Sequence, residues 1–176
     1  SWYFVFRTSL IRIYYFVTMY LAKRAFLIIL IYLIPIQYLI GQQALLLKAK
    51  DSYNIDSSVK YCELSIAKAK LTNDTLLLID SYIYLSEKYN EQSQYTNSQE
   101  LCENALKLAT IKKSYDLTGY CYLALANMYN YKSDNVKALK YYLDAKELLK
   151  SGNNKTKQLQ CLIDIAEYYR KVMQFE

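Results

Sequence analysis

The feature that most constrains the fold of this chain is a pattern of apolar and small residues that recurs every forty residues. It is clearest in Gly119–Lys150, where two stripes of such residues flank the polar stretch 132–135. Spacings of three, one and three put the first stripe on one face of a helix, and spacings of four and three do the same for the second. The two stripes consist of Tyr122, Leu125, Ala126 and Tyr129, and of Ala138, Tyr142 and Ala145. Such a helical hairpin cannot bury its apolar face alone, so further copies are expected.

Copies of this hairpin lie forty residues before and after it. The preceding copy contains Tyr82, Leu85, Ser86, Tyr89, Ser98, Cys102 and Ala105, and the following one contains Leu162, Ile165, Ala166 and Tyr169. The earliest copy contains Ser58, Cys62 and Ser65 after a weaker match at Gln42, Leu45, Leu46 and Ala49. The register predicts helices over residues 42–53, 56–71, 75–92, 95–112, 115–132, 135–151 and 155–173.

Short polar breaks separate the predicted helices. Side-chain oxygens at residues 72–74, at Ser114, at 133–134 and at 153–154 are available to cap the following helix N-termini. Gly152 is predicted to end its helix in the left-handed conformation.

The pattern resembles the tetratricopeptide repeat (TPR): an aromatic residue, Leu followed by a small residue, Tyr, a turn, and then Ala, aromatic, Ala. The usual period of that family is about thirty-four residues. The longer period here is similar to the variant found in bacterial regulatory and sensor proteins. The resemblance implies an all-α fold, an α-solenoid of antiparallel helix hairpins over residues 42–176. It comprises about three and a half repeats, so we expect either a fragment of a longer protein or a final helix that acts as a cap.

Residues 1–41 have a different composition from the repeats. Residues 19–41 combine a basic start, an apolar run and the small residue Gly41, which together predict a signal peptide. The alternatives are an uncleaved membrane anchor formed by residues 25–41, near the short limit for a bilayer of about 30 Å, or a buried helix. Residues 1–18 are either sequence upstream of a true start at Met19 or a membrane-associated segment. Basic residues before Ala25 predict that the repeats are extracytoplasmic, which would be the periplasm if the source is a Gram-negative bacterium.

The charge distribution argues against nucleic-acid binding. The net charge is +6, but four of the basic residues lie in residues 1–41, and the first acidic residue is Asp51. They are Arg7, Arg12, Lys23 and Arg24. The remaining chain is nearly neutral and lacks the basic stripe that a phosphate backbone requires.

The residue types also argue against an enzyme. The chain has no His and no glycine-rich phosphate-binding motif. Its four cysteines form two pairs of equivalent repeat positions, Cys62 with Cys102 and Cys121 with Cys161. We interpret them as buried structural thiols, with a disulfide or a metal site as the alternatives. No cofactor is expected.

The TPR resemblance implies a concave groove, lined by the first helix of each hairpin, that holds an extended peptide or a partner helix. The residues expected to line it are Asp80, Ile83, Glu87, Asn90, Tyr120, Leu123, Asn127, Asn130, Gln160, Ile163, Glu167 and Arg170. Chaperone-binding members of the family grip a carboxylate with paired Lys and Asn. Ile83, Leu123 and Ile163 occupy the Lys positions, so that clamp is not expected here.

These expectations together predict a protein-binding module. It would serve as the extracytoplasmic sensory or input region of a longer bacterial signalling protein. The alternative is a free-standing scaffold, membrane-anchored or periplasmic, without an output domain.

Overall fold

The computed structural model describes residues 19–21, 23–24, 41 and 43–174. The chain divides into two compact units, Ser1–Gly41 and Gln42–Glu176. The described part of the second unit is all-α, as predicted, and contains no strand. A helical segment over residues 43–51 is followed by six helices: α1 (Ile55–Leu71), α2 (Thr75–Glu91), α3 (Tyr95–Ile111), α4 (Tyr115–Tyr131), α5 (Asn135–Ser151) and α6 (Lys155–Met173).

The helices follow one another with a fixed spacing. Each of the six begins twenty residues after the one before it, so a helical hairpin repeats every forty residues. Their ends agree with the predicted ends to within one residue. The forty-residue pattern therefore corresponds to a repeated unit of structure and not only of sequence.

Equivalent turns join the helices. The turns after α1, α2, α3 and α4 each contain a residue with a positive φ between 51° and 62°. These residues are Asn73, Ser93, Lys113 and Ser133. In three of these turns the next backbone N–H donates to a carbonyl five residues earlier, the bond of a Schellman motif. Side-chain oxygens of Asp74, Ser114, Asp134 and Asn154 then cap the following helices, as the sequence predicts.

The turn after α5 differs, and the prediction of a left-handed Gly152 is wrong. Gly152 is extended, with φ −89° and ψ −177°. The Asp116 carboxylate accepts hydrogen bonds from the backbone N–H groups of Asn153 and Asn154, both at 3.0 Å. Gln158 donates through Nε2 to the carbonyls of Leu149, at 2.7 Å, and Gly152, at 3.2 Å. Side chains thus satisfy the groups that a left-handed turn would otherwise satisfy.

The helices pack in a curved row. Each one contacts the next, and in addition α2 contacts α4 and α4 contacts α6. Among the six helices, neither α1 and α3 nor α3 and α5 are in contact. The first helices of the hairpins therefore lie closer together and line the inner side of the row. This arrangement is compatible with an α-solenoid.

Small residues of the repeat pattern lie where helices touch. Ala105, Ala126, Ala138 and Ala145 are fully buried. Ser65, at the position of Ala105 and Ala145, is also buried, and its hydroxyl shares a hydrogen bond of 2.8 Å with the hydroxyl of Ser81. A methyl or hydroxymethyl side chain allows close helix contact, which accounts for the small residues in the pattern.

The segments predicted to be upstream sequence, signal peptide or membrane anchor, residues 1–18 and 19–41, lie almost entirely outside the described residues. In the part of the chain that the structure describes, no helix has both the length and the apolar character needed to cross a membrane.

Candidate partner-binding groove

Three helices on the inner side of the row enclose a recess of about 330 Å³, which we call the central recess. The residues that line it come from α2, α4 and α6: Ile83, Glu87, Tyr120, Leu123, Ala124, Asn127, Gln160 and Asp164. Ile83, Leu123 and Ala124 are buried and give it an apolar floor. Acidic and amide side chains surround that floor. The recess therefore offers apolar contact at its base and polar contact at its sides.

A second recess, of about 290 Å³, adjoins the first. Its lining residues are Asn127, Asn130, Tyr131, Tyr142, Asp164, Glu167 and Lys171. Asn127 and Asp164 line both recesses. The two recesses thus form one groove along α4 and α6.

Eight of the twelve predicted groove residues line these recesses. Ile83, Glu87, Tyr120, Leu123, Asn127 and Gln160 line the central recess, and Asn127, Asn130 and Glu167 line the second. The other four lie elsewhere. Asp80 is half-buried beside Lys157, Asn90 is 2% exposed, and Ile163 and Arg170 are exposed on α6.

A hydrogen-bonded network lies at the junction of the two recesses. The Tyr142 hydroxyl donates to Asn127 Oδ1 at 2.6 Å, and Asn127 Nδ2 donates to Asp164 Oδ2 at 3.1 Å. Gln160 Nε2 donates to Asp164 Oδ1 at 2.7 Å, so both oxygens of this carboxylate accept a hydrogen bond. The network links three helices and fixes the orientation of the polar groups on the α6 side.

Glu87, on the α2 side of the central recess, takes no part in such a network. No hydrogen bond or ion pair involves its half-buried carboxyl among the residues that the structure describes. Burial raises the pKa of Glu87 to about 7, and nearby Asp164 adds to the rise, while Lys88 and Lys50 oppose it. Lys88 Nζ instead lies 2.7 Å from Glu91. The Glu87 carboxyl is therefore an unpaired acid facing the recess.

The repeat explains why Glu87 is unpaired. Asn127 occupies the equivalent position in the next hairpin, where it bonds to Tyr142 and Asp164. The residues equivalent to these two partners are Cys102 and Ala124, forty positions earlier. Cys102 donates to Ser86 at 3.3 Å, and Ala124 has no polar group. The loss of both partners opens the central recess beside Glu87.

Asn90 is a second unpaired polar side chain on α2. Both its side-chain oxygen and nitrogen are buried without a hydrogen-bond partner within the described chain. Its equivalent, Asn130, bonds to Tyr142 and to Lys171 Nζ, at 3.4 and 3.2 Å. The positions that correspond to those partners hold Cys102 and Tyr131.

A weak ion pair borders the central recess. Lys157 Nζ lies 3.9 Å from Asp80 and 3.6 Å from the centre of the Tyr120 ring. Burial raises the pKa of Asp80 and lowers the pKa of Lys157, and each change favours the neutral form. Lys157 Nζ is thus close to both the Asp80 carboxyl and the face of the Tyr120 ring.

Sequence reasoning missed five residues of the groove: Ala124, Tyr131, Tyr142, Asp164 and Lys171. The spacing of Asp164, four residues after Gln160 and three before Glu167, would have placed it on the groove face of α6. Tyr142 belongs to the recognised apolar stripe, which gave no indication that its hydroxyl reaches Asn127.

The thiols do not form part of the groove. All four cysteines are free and buried. Within residues 19–174, as far as the structure describes them, no group of three or more acidic or cysteine side chains could hold a metal ion.

Comparison with protein-family models finds none that matches this chain, and comparison with curated proteins finds no similar sequence. The assignment of a function therefore depends on the groove and on the repeat.

Proposed function

We propose that this chain is a long-period TPR protein whose groove binds an extended segment of a partner protein. The observation that carries the proposal is the pair of adjoining recesses along the first helices of successive hairpins. A groove that runs along helices suits an elongated ligand. The repeat pattern Tyr, Leu, Ala, Tyr and then Ala, Tyr, Ala supports the family assignment.

The chemistry of the groove supports a peptide ligand in particular. Peptides present apolar side chains and backbone amides in alternation. Ile83 and Leu123 supply apolar contact, and Asn127, Asn130 and Gln160 carry amides that can both donate and accept hydrogen bonds. Such binding sites place a few polar groups around an apolar base.

Selection from a displayed dodecapeptide library on the full-length chain in detergent tests this proposal. A matched pair of variants, Gln160→Arg and Gln99→Arg, locates the binding site. Gln160 is exposed at the central recess, and Gln99 lies on α3, outside both recesses. We expect selected peptides to lose at least tenfold in affinity for the first variant and to bind the second normally. Equal binding to both variants would place the peptides outside the groove and contradict the proposal.

We further propose that the array is the extracytoplasmic input region of a longer bacterial signalling protein. The support is the apolar run in residues 25–41 and the similarity to repeats of sensor proteins. A reporter that is active only outside the cytoplasm, fused after Lys48, should give a signal. A silent reporter with the fusion protein present would contradict the location. The coding sequence after Glu176 distinguishes an output domain from the alternative, a free-standing scaffold.

A further inference from the structure

We propose that the central recess binds a lysine or arginine side chain of the partner segment between the carboxylates of Glu87 and Asp164. This inference rests on the proposed function, because it assumes that a peptide occupies the groove. It adds the chemical identity of the side chain that the recess accepts.

The arrangement of the recess matches such a side chain. Glu87 stands on α2 and Asp164 on α6, on opposite walls above the floor of Ile83, Leu123 and Ala124. An apolar floor below charged walls suits the methylene chain and cationic end of Lys or Arg. Asn127 and Gln160 each carry an amide oxygen at the same recess.

The side chains that line the central recess include two carboxyl groups and no cationic group. Burial raises the pKa of the Tyr120 phenol far above its ordinary value, and the carboxylates of Glu87, Asp80 and Asp164 raise it further. A field that opposes a phenolate favours a cation at the same place.

No cation of the described chain forms an ion pair with Glu87. Lys88 is paired with Glu91, Lys157 lies above the Tyr120 ring, and Lys171 donates to Asn130. Lys50 lies 5.7 Å from the centre of the Tyr84 ring. A half-buried carboxylate without a partner is unfavourable, and an ammonium or guanidinium group supplied by a ligand would remove that cost.

The continuity of the groove favours a peptide over a free amine. The central recess opens onto the second through Asn127 and Asp164, and the second presents Asn130, Glu167 and Lys171. A small amine would use the first recess alone. A peptide would place its cationic side chain there and its neighbouring backbone along the second.

The protonation of Glu87 makes the interaction dependent on pH. Four charged groups face its carboxyl: Lys50 from segment 43–51, Lys88 and Glu91 from α2, and Asp164 from α6. With a pKa of about 7, Glu87 is mostly neutral at pH 6 and mostly ionised at pH 8. A bound cation requires the ionised form, so the affinity should rise about tenfold over this range.

Two displayed dodecapeptide libraries test the inference on the full-length chain in detergent. One contains Lys and Arg among its randomised residues, and the other lacks both. We expect the first to yield peptides that require the groove, as judged with Gln160→Arg, and the second to yield peptides at least tenfold weaker. Equal yields from the two libraries would overturn the cation assignment and leave the proposed function standing. No groove-dependent peptide from either library would overturn both.

Matched variants identify the carboxylate. Glu87→Gln should reduce the affinity of the selected peptides at least tenfold and abolish its pH dependence. Glu100→Gln, at an exposed position of α3 outside both recesses, should do neither. Unchanged binding to Glu87→Gln would overturn the inference. Since the library comparison uses the unaltered chain, it decides the question even if a variant does not fold.

Free cations test the choice of a peptide. n-Butylammonium and n-butylguanidinium should displace the peptides only at concentrations far above the peptide dissociation constants. Binding of either compound as tightly as the peptides would overturn the assignment, because the recess would then be a receptor for a small amine.

Discussion

At the scale of single residues, Glu87 couples the stability of the fold to pH. Its pKa in the folded chain, about 7, lies above the ordinary value of 4.5. The folded state therefore binds this proton more tightly than the unfolded state does. The stabilisation is complete below pH 4.5 and is lost as the pH rises through 7.

Glu87→Gln should remove this dependence. We compare the free energy of unfolding of the variant with that of the unaltered chain at pH 5 and at pH 8. The difference should change in favour of the variant from the lower pH to the higher, by at most about 3 kcal/mol for a pKa raised from 4.5 to about 7. Urea unfolding of both proteins at the two pH values measures the gain. Glu100→Gln is the control, since Glu100 is exposed on α3. An equal stability difference between Glu87→Gln and the unaltered chain at both pH values would contradict the burial of Glu87.

Ala126 tests the close contact between helices. It is fully buried, so Ala126→Leu should destabilise the fold by about 1–3 kcal/mol through overpacking. Ala166 occupies the same repeat position forty residues later but is exposed on α6. Ala166→Leu should therefore change stability by less than about 0.5 kcal/mol. Equal effects of the two changes on thermal unfolding would contradict this difference in environment.

At the scale of elements, the turns contain conformations that their residues do not favour. Lys113 has a φ of 51°, which is unfavourable for a side chain other than glycine. Lys113→Gly should stabilise the fold by up to about 1 kcal/mol, after allowance for the added freedom of the unfolded chain. Lys112, with a φ of −71°, provides the control, and Lys112→Gly should be destabilising. Urea unfolding of both variants measures these changes, and stabilisation by Lys112→Gly would show that φ does not decide the outcome.

The helices could be predicted because their ends depend on nearby residues. Asp74, Ser114 and Asp134 cap helices that begin at the next residue, and the apolar spacing fixes the buried face. The conformation of Gly152 could not be predicted in this way. It is decided by Asp116 on α4, because the Asp116 carboxylate accepts hydrogen bonds from two backbone N–H groups of the turn. A local pattern carries no information about such a contact.

The groove was only partly predictable for a related reason. Aligning repeats identifies equivalent positions, and it placed Glu87, Tyr120 and Gln160 among the expected groove residues. It does not show which differences between equivalent residues change the shape or the hydrogen bonds of the groove. Ala124 and Asp164 are equivalent, yet one opens a recess and the other organises a network. Those consequences depend on contacts between successive hairpins.

At the scale of the whole molecule, stability in a row of hairpins depends on contacts between neighbours. Among the six described helices, α4 contacts α2, α3, α5 and α6, whereas α6 contacts only α4 and α5. Several apolar side chains of α6 are accordingly exposed: Leu159, Leu162, Ile163, Tyr169 and Met173. Local opening should therefore require less free energy at α6 than at α4.

The rates at which the four buried thiols react measure how the free energy of local opening varies along the row. This measurement needs no substitution. Burial raises the pKa values of Cys121 and Cys161 to about 12 and 11, so each thiol reacts mainly after local opening. N-ethylmaleimide should therefore modify Cys161, on α6, faster than Cys121, on α4. Peptide mapping by mass spectrometry after timed exposure measures the order, and a denatured sample corrects for intrinsic reactivity. Equal rates at all four thiols would mean that the array opens as a single unit, which is incompatible with a gradient set by contacts between neighbours.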